Sequence, residues 1–263
     1  MEQPDGFTQP RHDHLIGYKR CKYDCCVYVK SLDDGSSIFL LLYIDNMLIA
    51  AKNMYDVLAL KALLSQEFDM KDLGVAIKIL GMEIHRDRGS RKLWLSQRGY
   101  VEKYHEVEDM AKVPYASAVG CLMYAMACTH LDLAHAVSQI YKYMSIPGRH
   151  HWEVIKWVFR YLKDTVGYGV VSGSQQNDPL VVGYVDSDYA GDLDDRRSTT
   201  GYVFTLGGGP ICWKSTVQCI VSLSTIEAEY IAVAEVAKEA LWLSGLSKEL
   251  GVEQGGVQLH CDS

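Results

Sequence analysis

The hydrophobic and polar positions of this 263-residue chain form blocks that predict both strands and helices. Two apolar runs, residues 38–44 and 47–51, flank the polar pair Asp45 and Asn46, which is typical of a two-residue hairpin turn. Because neither run alternates with polar residues, we expect this hairpin to be buried on both faces. Asn53 can then cap a helix that continues to about residue 68.

The middle of the chain changes from strands to helices. Residues 80–85 and 92–96 predict two strands around a turn at 87–90, and residues 114–164 predict mainly helices. A linker is expected over residues 165–180, where Gly, Ser, Gln and Asn cluster. The last of the predicted helices has an apolar stripe made of Val154, Trp157, Val158 and Leu162.

The C-terminal part predicts a second set of strands followed by one long helix. The helix is expected from Ser224 to about Leu250, and a final strand from 257 to 261. Antiparallel strands, then a helix, then one strand indicate an α+β fold with a mixed sheet. The predicted strands before the helix are 180–185, 201–206 and 211–214, with an extended stretch at 217–223.

Composition narrows the class of protein. Hydrophobic residues make up 48% and charged residues 22%, which excludes wholesale disorder, collagen and coiled coil. The formal net charge of −7 gives no overall basic excess to meet nucleic-acid phosphates. The N-terminal residues do not form a signal peptide, the longest apolar run is too short to span a membrane, and the cysteines lack zinc spacing. We expect an intracellular protein, cytoplasmic or nuclear and not secreted, with free thiols; its oligomeric state is not indicated.

Acidic residues of the C-terminal part are candidate metal ligands. Asp186 and Asp188 lie two apart at a strand end, and Asp262 ends another predicted strand. In the long helix Glu227 is expected to complete a capping box, whereas Glu229 borders an apolar stripe and has no such structural task. That stripe is predicted to contain Ile226, Tyr230, Val233 and Ala237, with Glu235 and Glu239 on the far side.

Three carboxylates from two strands and one helix could converge on a divalent cation, for which Mg²⁺ chemistry is suited. The alternative is a set of solvated acidic loops beside a capped helix. An EF-hand calcium loop starting at Asp186 is disfavoured, since Ala190 and Arg197 would occupy ligand positions.

A basic group is found near the start of the third predicted helix. Arg149, His150, Lys156 and Arg160 could meet phosphate, or could form a solvated helix end. Trp94 and Trp157 could stack on bases, but both lie in apolar patterns and are expected in the core.

Long motifs carry a resemblance to a known family. Residues 183–204, 224–232 and 259–263 resemble the ribonuclease H domain of copia-type LTR retrotransposon Pol polyproteins. Residues 1–7 and 42–50, together with shorter motifs up to residue 120, resemble the reverse transcriptase of the same plant-type elements. The resemblance implies an α+β fold: part of a reverse transcriptase palm at 1–110, a helical connection at 111–175, and an incomplete ribonuclease H-like mixed sheet with a helix at 176–263.

The resemblance also assigns site residues. It implies that Asp186, Glu229 and Asp262 are the catalytic, metal-binding carboxylates of the ribonuclease H motif, with Mg²⁺ or Mn²⁺ as cofactor if the chain is active. It implies that Asp45 is a vestige of the polymerase metal site, in a hairpin where Asn46 replaces the second carboxylate. The implied partners are RNA–DNA hybrid or template–primer nucleic acid, and no membrane.

Departures from the family pattern suggest lost activity. The strand that carries the first polymerase carboxylate would precede Met1, segments near residues 10–17 and 104–113 look shortened, and the last ribonuclease H elements would follow Ser263. We therefore expect a degenerate, truncated fragment without polymerase activity. Two alternatives stay open: an active metal-dependent ribonuclease H, and a non-catalytic module that binds nucleic acid or another partner.

Overall fold

The structure, a computed structural model, describes residues 17–44, 46–105, 114–173, 180–192 and 194–262, without the side chains of 103–105. It is a mixed α+β fold with three four-stranded sheets and six α-helices in these residues. Contacts divide the chain into two compact units, one of residues 1–76 with 245–253 and the other of residues 77–244 with 254–263. The division into three domains expected from the sequence stays a prediction.

The first unit has one antiparallel sheet and one helix. The sheet order is β1-β2-β3-β4, formed by Lys19–Arg20, Val27–Ser31, Ser37–Tyr43 and Asn46–Ala50, and helix α1 is Met54–Glu67. Ile38 and Leu40 of β3 share a core with Leu60 and Leu64 of α1, so the sequence prediction of this helix is confirmed.

The hairpin of β3 and β4 is not buried on both faces, contrary to the sequence expectation. Its inner face meets α1, but Tyr43 is 50% exposed and Met47 is 41% exposed. Tyr43 pairs with Asn46, so Asn46 is the first residue of β4 and not part of the predicted two-residue turn. An uninterrupted apolar run shows that both faces of a strand are hydrophobic. Each face is buried only if another helix or sheet packs against it.

The second unit begins with an antiparallel sheet. Its order is β5-β6-β7-β8, formed by Lys78–Ile79, Met82–Asp87, Lys92–Ser96 and Gly169–Ser172. Strand β6 starts two residues later than predicted because Leu80 and Gly81 both have positive φ and form the turn after β5. Strand β8 lies inside the stretch 165–180 expected to be a linker, because its residues pair with β7.

Four helices follow over residues 98–164, and the three within 114–164 confirm the helices predicted there. They are α2 (Arg98–His105), α3 (Tyr115–Cys128), α4 (Ala134–Tyr141) and α5 (Arg149–Asp164), with a 3₁₀ turn at Leu131–Leu133. Their common core includes Leu122, Ile140, Ile155 and Leu162. Trp157 is 63% exposed, so its predicted place in the core is wrong and Ile155 occupies the buried stripe instead.

The last sheet carries the candidate site. Its order is β11-β10-β9-β12, formed by Gly209–Val217, Thr199–Leu206, Val181–Asp188 and Gln258–His260. Strand β12 runs parallel to β9 and the other pairs are antiparallel, so the predicted mixed sheet is confirmed. Residues 218–223, expected to be extended, form a bent loop without strand pairing.

Helix α6 (Thr225–Glu249) packs on this last sheet through small residues. Ala228, Ala232 and Val236 are fully buried, and the last two pack with Phe204 of β10. The stripe predicted from the sequence is wrong, since Ile226 is 72% exposed and Tyr230 is 78% exposed. Small side chains make up most of the buried face of the helix, and Leu243 completes it nearer the C-terminal end.

No helix in the described part of the chain is long and apolar enough to cross a membrane.

Candidate metal centre

Three carboxylates meet at the end of the last sheet. Asp186 lies in β9, Glu229 in the first turns of α6, and Asp262 two residues beyond β12. One oxygen from each side chain lies within 4.8 Å of an oxygen from each of the other two. The structure therefore brings together the three residues that the sequence motif assigns to one site.

The helix start positions Glu229. The backbone N–H of Glu227 donates to Oγ of Ser224 at 3.1 Å, and the Glu227 carboxylate accepts the N–H of Leu223 at 2.6 Å. This is the predicted capping box with the return bond made one residue earlier. Glu227 is thereby engaged in the helix start, and Glu229 is available to face β9.

The backbone N–H of Ser187 links two of the carboxylates. It lies 2.9 Å from Oδ1 of Asp186 and 3.2 Å from Oε1 of Glu229. The other oxygen of Glu229, Oε2, is buried and has no hydrogen-bond partner in the described residues. A buried carboxylate oxygen without a donor is unfavourable unless a proton or a cation reaches it.

The electrostatics of the cluster favour a cation. Partial burial raises the pKa of Glu229, the Ser187 N–H opposes this, and the negative charges of Asp186 and Asp262 raise that pKa further. A divalent cation would reverse the repulsion among these three groups. Carboxylate oxygens are the ligands that Mg²⁺ and Mn²⁺ prefer, so the donor set fits these ions.

A buried glutamine that sequence reasoning missed supports the site. The side-chain nitrogen of Gln218 lies 3.2 Å from Oγ of Ser187, 3.1 Å from Oγ1 of Thr200 and 2.9 Å from the carbonyl of Ala228. Gln218 therefore connects β9, β10 and the first turns of α6. In the sequence, Gln218 is marked only by being a polar amide between the less polar residues Val217 and Cys219.

The exit of β12 is held by a ring contact. His260 pairs with Tyr184 of β9, and their rings are stacked with centroids 5.3 Å apart. Asp262 follows two residues later. The stack and the strand pairing together place the third carboxylate beside Asp186.

A groove of about 380 Å³ opens next to the cluster. Asp186 and Tyr184 of β9 line it together with Asp132 and His135. Trp213 and Lys214 of β11 complete the wall. The groove thus combines one of the three carboxylates with aromatic and basic side chains.

Other candidate residues lie elsewhere. Asn46 is exposed at the start of β4, and Asp45 lies outside the described residues. Glu235 and Glu239 are half-buried, so their predicted position on the far side of α6 is wrong; Glu239 accepts a contact from Sγ of Cys212 at 3.5 Å. Asp24, Cys25 and Cys26 also have ligand atoms within 4.8 Å of one another, as neighbours in one turn.

Similarity to known proteins identifies the family. Residues 12–118 match the family profile "Reverse transcriptase (RNA-dependent DNA polymerase)". The chain is 46% identical over its whole length to the "Retrovirus-related Pol polyprotein from transposon TNT 1-94" of Nicotiana tabacum. The chain belongs to the Pol polyproteins of copia-type retrotransposons.

Two further relatives show how the match is distributed. The Pol polyprotein from transposon RE2 of Arabidopsis thaliana is 32% identical over 94% of this chain. "Secreted RxLR effector protein 161" of Plasmopara viticola is 46% identical over 51% of this chain and 94% of its own length. The chain spans 24% of the tobacco polyprotein and 18% of the RE2 polyprotein, so it corresponds to a portion of such Pol proteins.

Membership of this family indicates the general chemistry of its reverse transcriptases, but not the role of the three carboxylates. Reverse transcriptases act on nucleic acids and use divalent metal ions. The family profile ends before β9, so it does not reach Asp186, Glu229 or Asp262. The role of these three carboxylates is therefore a separate question.

Proposed function

We propose that this portion of a Pol polyprotein binds a divalent cation, Mg²⁺ or Mn²⁺, through Asp186, Glu229 and Asp262, and that the site is of the ribonuclease H type, hydrolysing RNA in RNA–DNA hybrids. The observation that carries the proposal is the convergence of these carboxylates within 4.8 Å around a buried, unpartnered Glu229 oxygen. The resemblance of residues 183–204 to a ribonuclease H motif supports the same assignment.

A bound cation would supply charge stabilisation for the phosphodiester transition state and an activated water. The protein supplies the positions of the ligands. Ser187 orients Asp186 and Glu229 through one N–H, and partial burial together with the charges of Asp186 and Asp262 raises the pKa of Glu229. The groove beside Asp186 offers Tyr184, Trp213 and Lys214 to a nucleic-acid strand.

The test is cleavage of a labelled RNA strand in an RNA–DNA hybrid by the full chain with Mn²⁺. We expect cleavage that is lost in Asp186→Asn, Glu229→Gln and Asp262→Asn. The matched control is Asp188→Asn, which changes an exposed carboxylate two residues further along the same strand. Absence of cleavage by the unaltered chain, or equal cleavage by all variants, would overturn the nuclease assignment and favour the degenerate fragment expected from the sequence.

The palm-like hairpin supports no polymerase function. Asn46 pairs with Tyr43 at the start of β4 and presents a neutral amide where the motif has a carboxylate. A neutral amide binds a divalent cation more weakly than a carboxylate does. We propose that the chain does not extend a primer, and primer extension by the unaltered chain would contradict this.

A further inference from the structure

Helix α5 has a stripe of positive charge on its solvent side. Its basic residues follow the spacing i, i+7, i+11 and i+14, which confines them to an arc of about 60° on a regular helix. The stripe is about 21 Å long at the usual rise per residue. We call it the α5 basic stripe, and it consists of Arg149, Lys156, Arg160 and Lys163.

The stripe is exposed and mostly unpaired. Arg149 is 92% exposed and all four side chains face solvent, while Ile155, Val158 and Leu162 anchor the opposite side of the helix. Nε of Arg149 lies 3.8 Å from Oε1 of Glu153. In the described part of the chain no ion pair involves the other three basic residues. Their charges are available to an anionic partner.

Trp157 lies beside the stripe. It follows Lys156 directly, precedes Arg160 by less than one turn, and is 63% exposed. An indole in water next to cationic side chains has a π face on which a nucleobase can stack while the neighbouring cations meet phosphates. Bases inside a duplex are already stacked on each other, so this combination suits a single strand.

We propose that the α5 basic stripe and Trp157 bind single-stranded nucleic acid, with phosphates on Lys156, Arg160 and Lys163 and a base on the indole. The charge of the stripe is complementary to a polynucleotide although the chain as a whole carries −7. The surface shares no residue with the carboxylate cluster, so binding there should need no divalent cation.

The experiment measures binding of a fluorescein-labelled oligothymidylate of about 15 nucleotides by anisotropy, in EDTA and over a range of salt concentrations. Each phosphate contact to a single strand contributes about 0.7 to the slope of log K against log salt. Lys156→Gln with Arg160→Gln should therefore flatten the slope by about 1.4 and weaken binding about 20-fold at 0.1 M salt.

The matched control is Arg86→Gln with Arg88→Gln, which removes the same charge from an exposed hairpin. It should bind within about twofold of the unaltered chain, because neither arginine belongs to the α5 basic stripe and neither is expected to contact the bound strand. Trp157→Ala should weaken binding at least about fivefold, and Trp157→Phe should restore most of the loss.

Three results would overturn the proposal. They are no binding by the unaltered chain at low salt, an equal loss in both double variants, and unchanged binding by Trp157→Ala. Because the assay contains EDTA and scores no cleavage, failure of the ribonuclease proposal would leave its outcome unaffected.

Discussion

The side-chain amide nitrogen of Gln218 lies 3.2 Å from Oγ of Ser187, the residue whose backbone N–H contacts both Asp186 and Glu229. Gln218 is fully buried and also accepts a hydrogen bond from the hydroxyl of Ser222 at 2.9 Å. Among the described residues its side chain has no hydrogen bond to any of the three carboxylates. It is a positioning residue, since it holds the strand and the helix that carry two of them.

Gln218→Ala should destabilise the fold by about 3 kcal/mol, because it leaves several buried polar groups without a partner. Chemical denaturation measures this change. At temperatures where the variant is folded, Mn²⁺ affinity should also fall, which a purely structural role would not require. Cys219→Ala, at the exposed neighbouring position, should leave both quantities unchanged. Unaltered Mn²⁺ affinity in folded Gln218→Ala would contradict the positioning role.

Gly183 tests the packing of β12. A methyl group at Gly183 would lie 2.5 Å from Cδ2 of Leu259 and 2.6 Å from Cε1 of Phe204. Gly183→Ala should therefore cost about 1–3 kcal/mol and displace the strand that leads to Asp262. Thermal unfolding and Mn²⁺ titration measure the two effects.

The matched control for this change is Gly201→Ala on the neighbouring strand. A methyl group there meets nothing within 4 Å. We expect stability within about 0.5 kcal/mol of the unaltered chain. Equal behaviour of the two alanine variants would show that the contact with Leu259 does not limit the position of β12.

The ion pair between Lys142 and Asp192 should make the stability of the fold depend on pH. Nζ of Lys142 lies 2.6 Å from Oδ2 of Asp192, whose side chain is only 3% exposed. The hydrogen bond from Lys142 is the main cause that lowers the pKa of Asp192 below its usual value. A lowered folded-state pKa gives stability that is present above the unfolded-state pKa, about 4, and is lost as the pH falls through the folded-state value.

Asp192→Asn should destabilise the fold by about 1–2 kcal/mol at pH 7, and by progressively less as the pH falls below 4. Asp194→Asn, at the exposed carboxylate that accepts the hydroxyl of Tyr143, should have a small effect. Denaturant unfolding at several pH values measures both. A loss in Asp192→Asn that is the same at pH 7 and pH 3 would rule out the ion pair as its cause.

The cap of α6 connects helix stability with the site. Ser224→Ala removes the acceptor for the N–H of Glu227 and should cost about 1 kcal/mol. Because the cap lies less than two turns from Glu229, fraying of this end should also weaken Mn²⁺ binding. Ser224→Asp keeps an acceptor and should restore both properties. Failure of this rescue would show that the helix start does not depend on its cap.

Local patterns predicted elements better than they predicted burial. The helix predicted from Asn53 to residue 68 and the long helix predicted after Ser224 are both confirmed, although the side chain of Asn53 makes no capping hydrogen bond. For α6, both the stripe through Ile226 and the stripe through Ala228 satisfy a helical period. Which stripe is buried depends on how the helix packs against the sheet, and helical periodicity alone does not determine that packing.

In the candidate site, too, some residues could be predicted from the sequence and others could not. Asp186, Glu229 and Asp262 came from a motif resemblance, and the structure shows where they meet. Gln218 had no motif, because its role depends on Ser187, Thr200 and Ala228, which are brought together only by folding. Trp157 was misplaced because an aromatic residue at helical spacing fits a core or a binding surface equally well.

The most direct test of the account is calorimetric titration of the metal-free chain with Mn²⁺. We predict one site that is lost in Glu229→Gln and retained in Asp188→Asn. Equal Mn²⁺ binding by the unaltered chain and Glu229→Gln, or no binding by the unaltered chain, would contradict the claim that these three carboxylates form a metal centre.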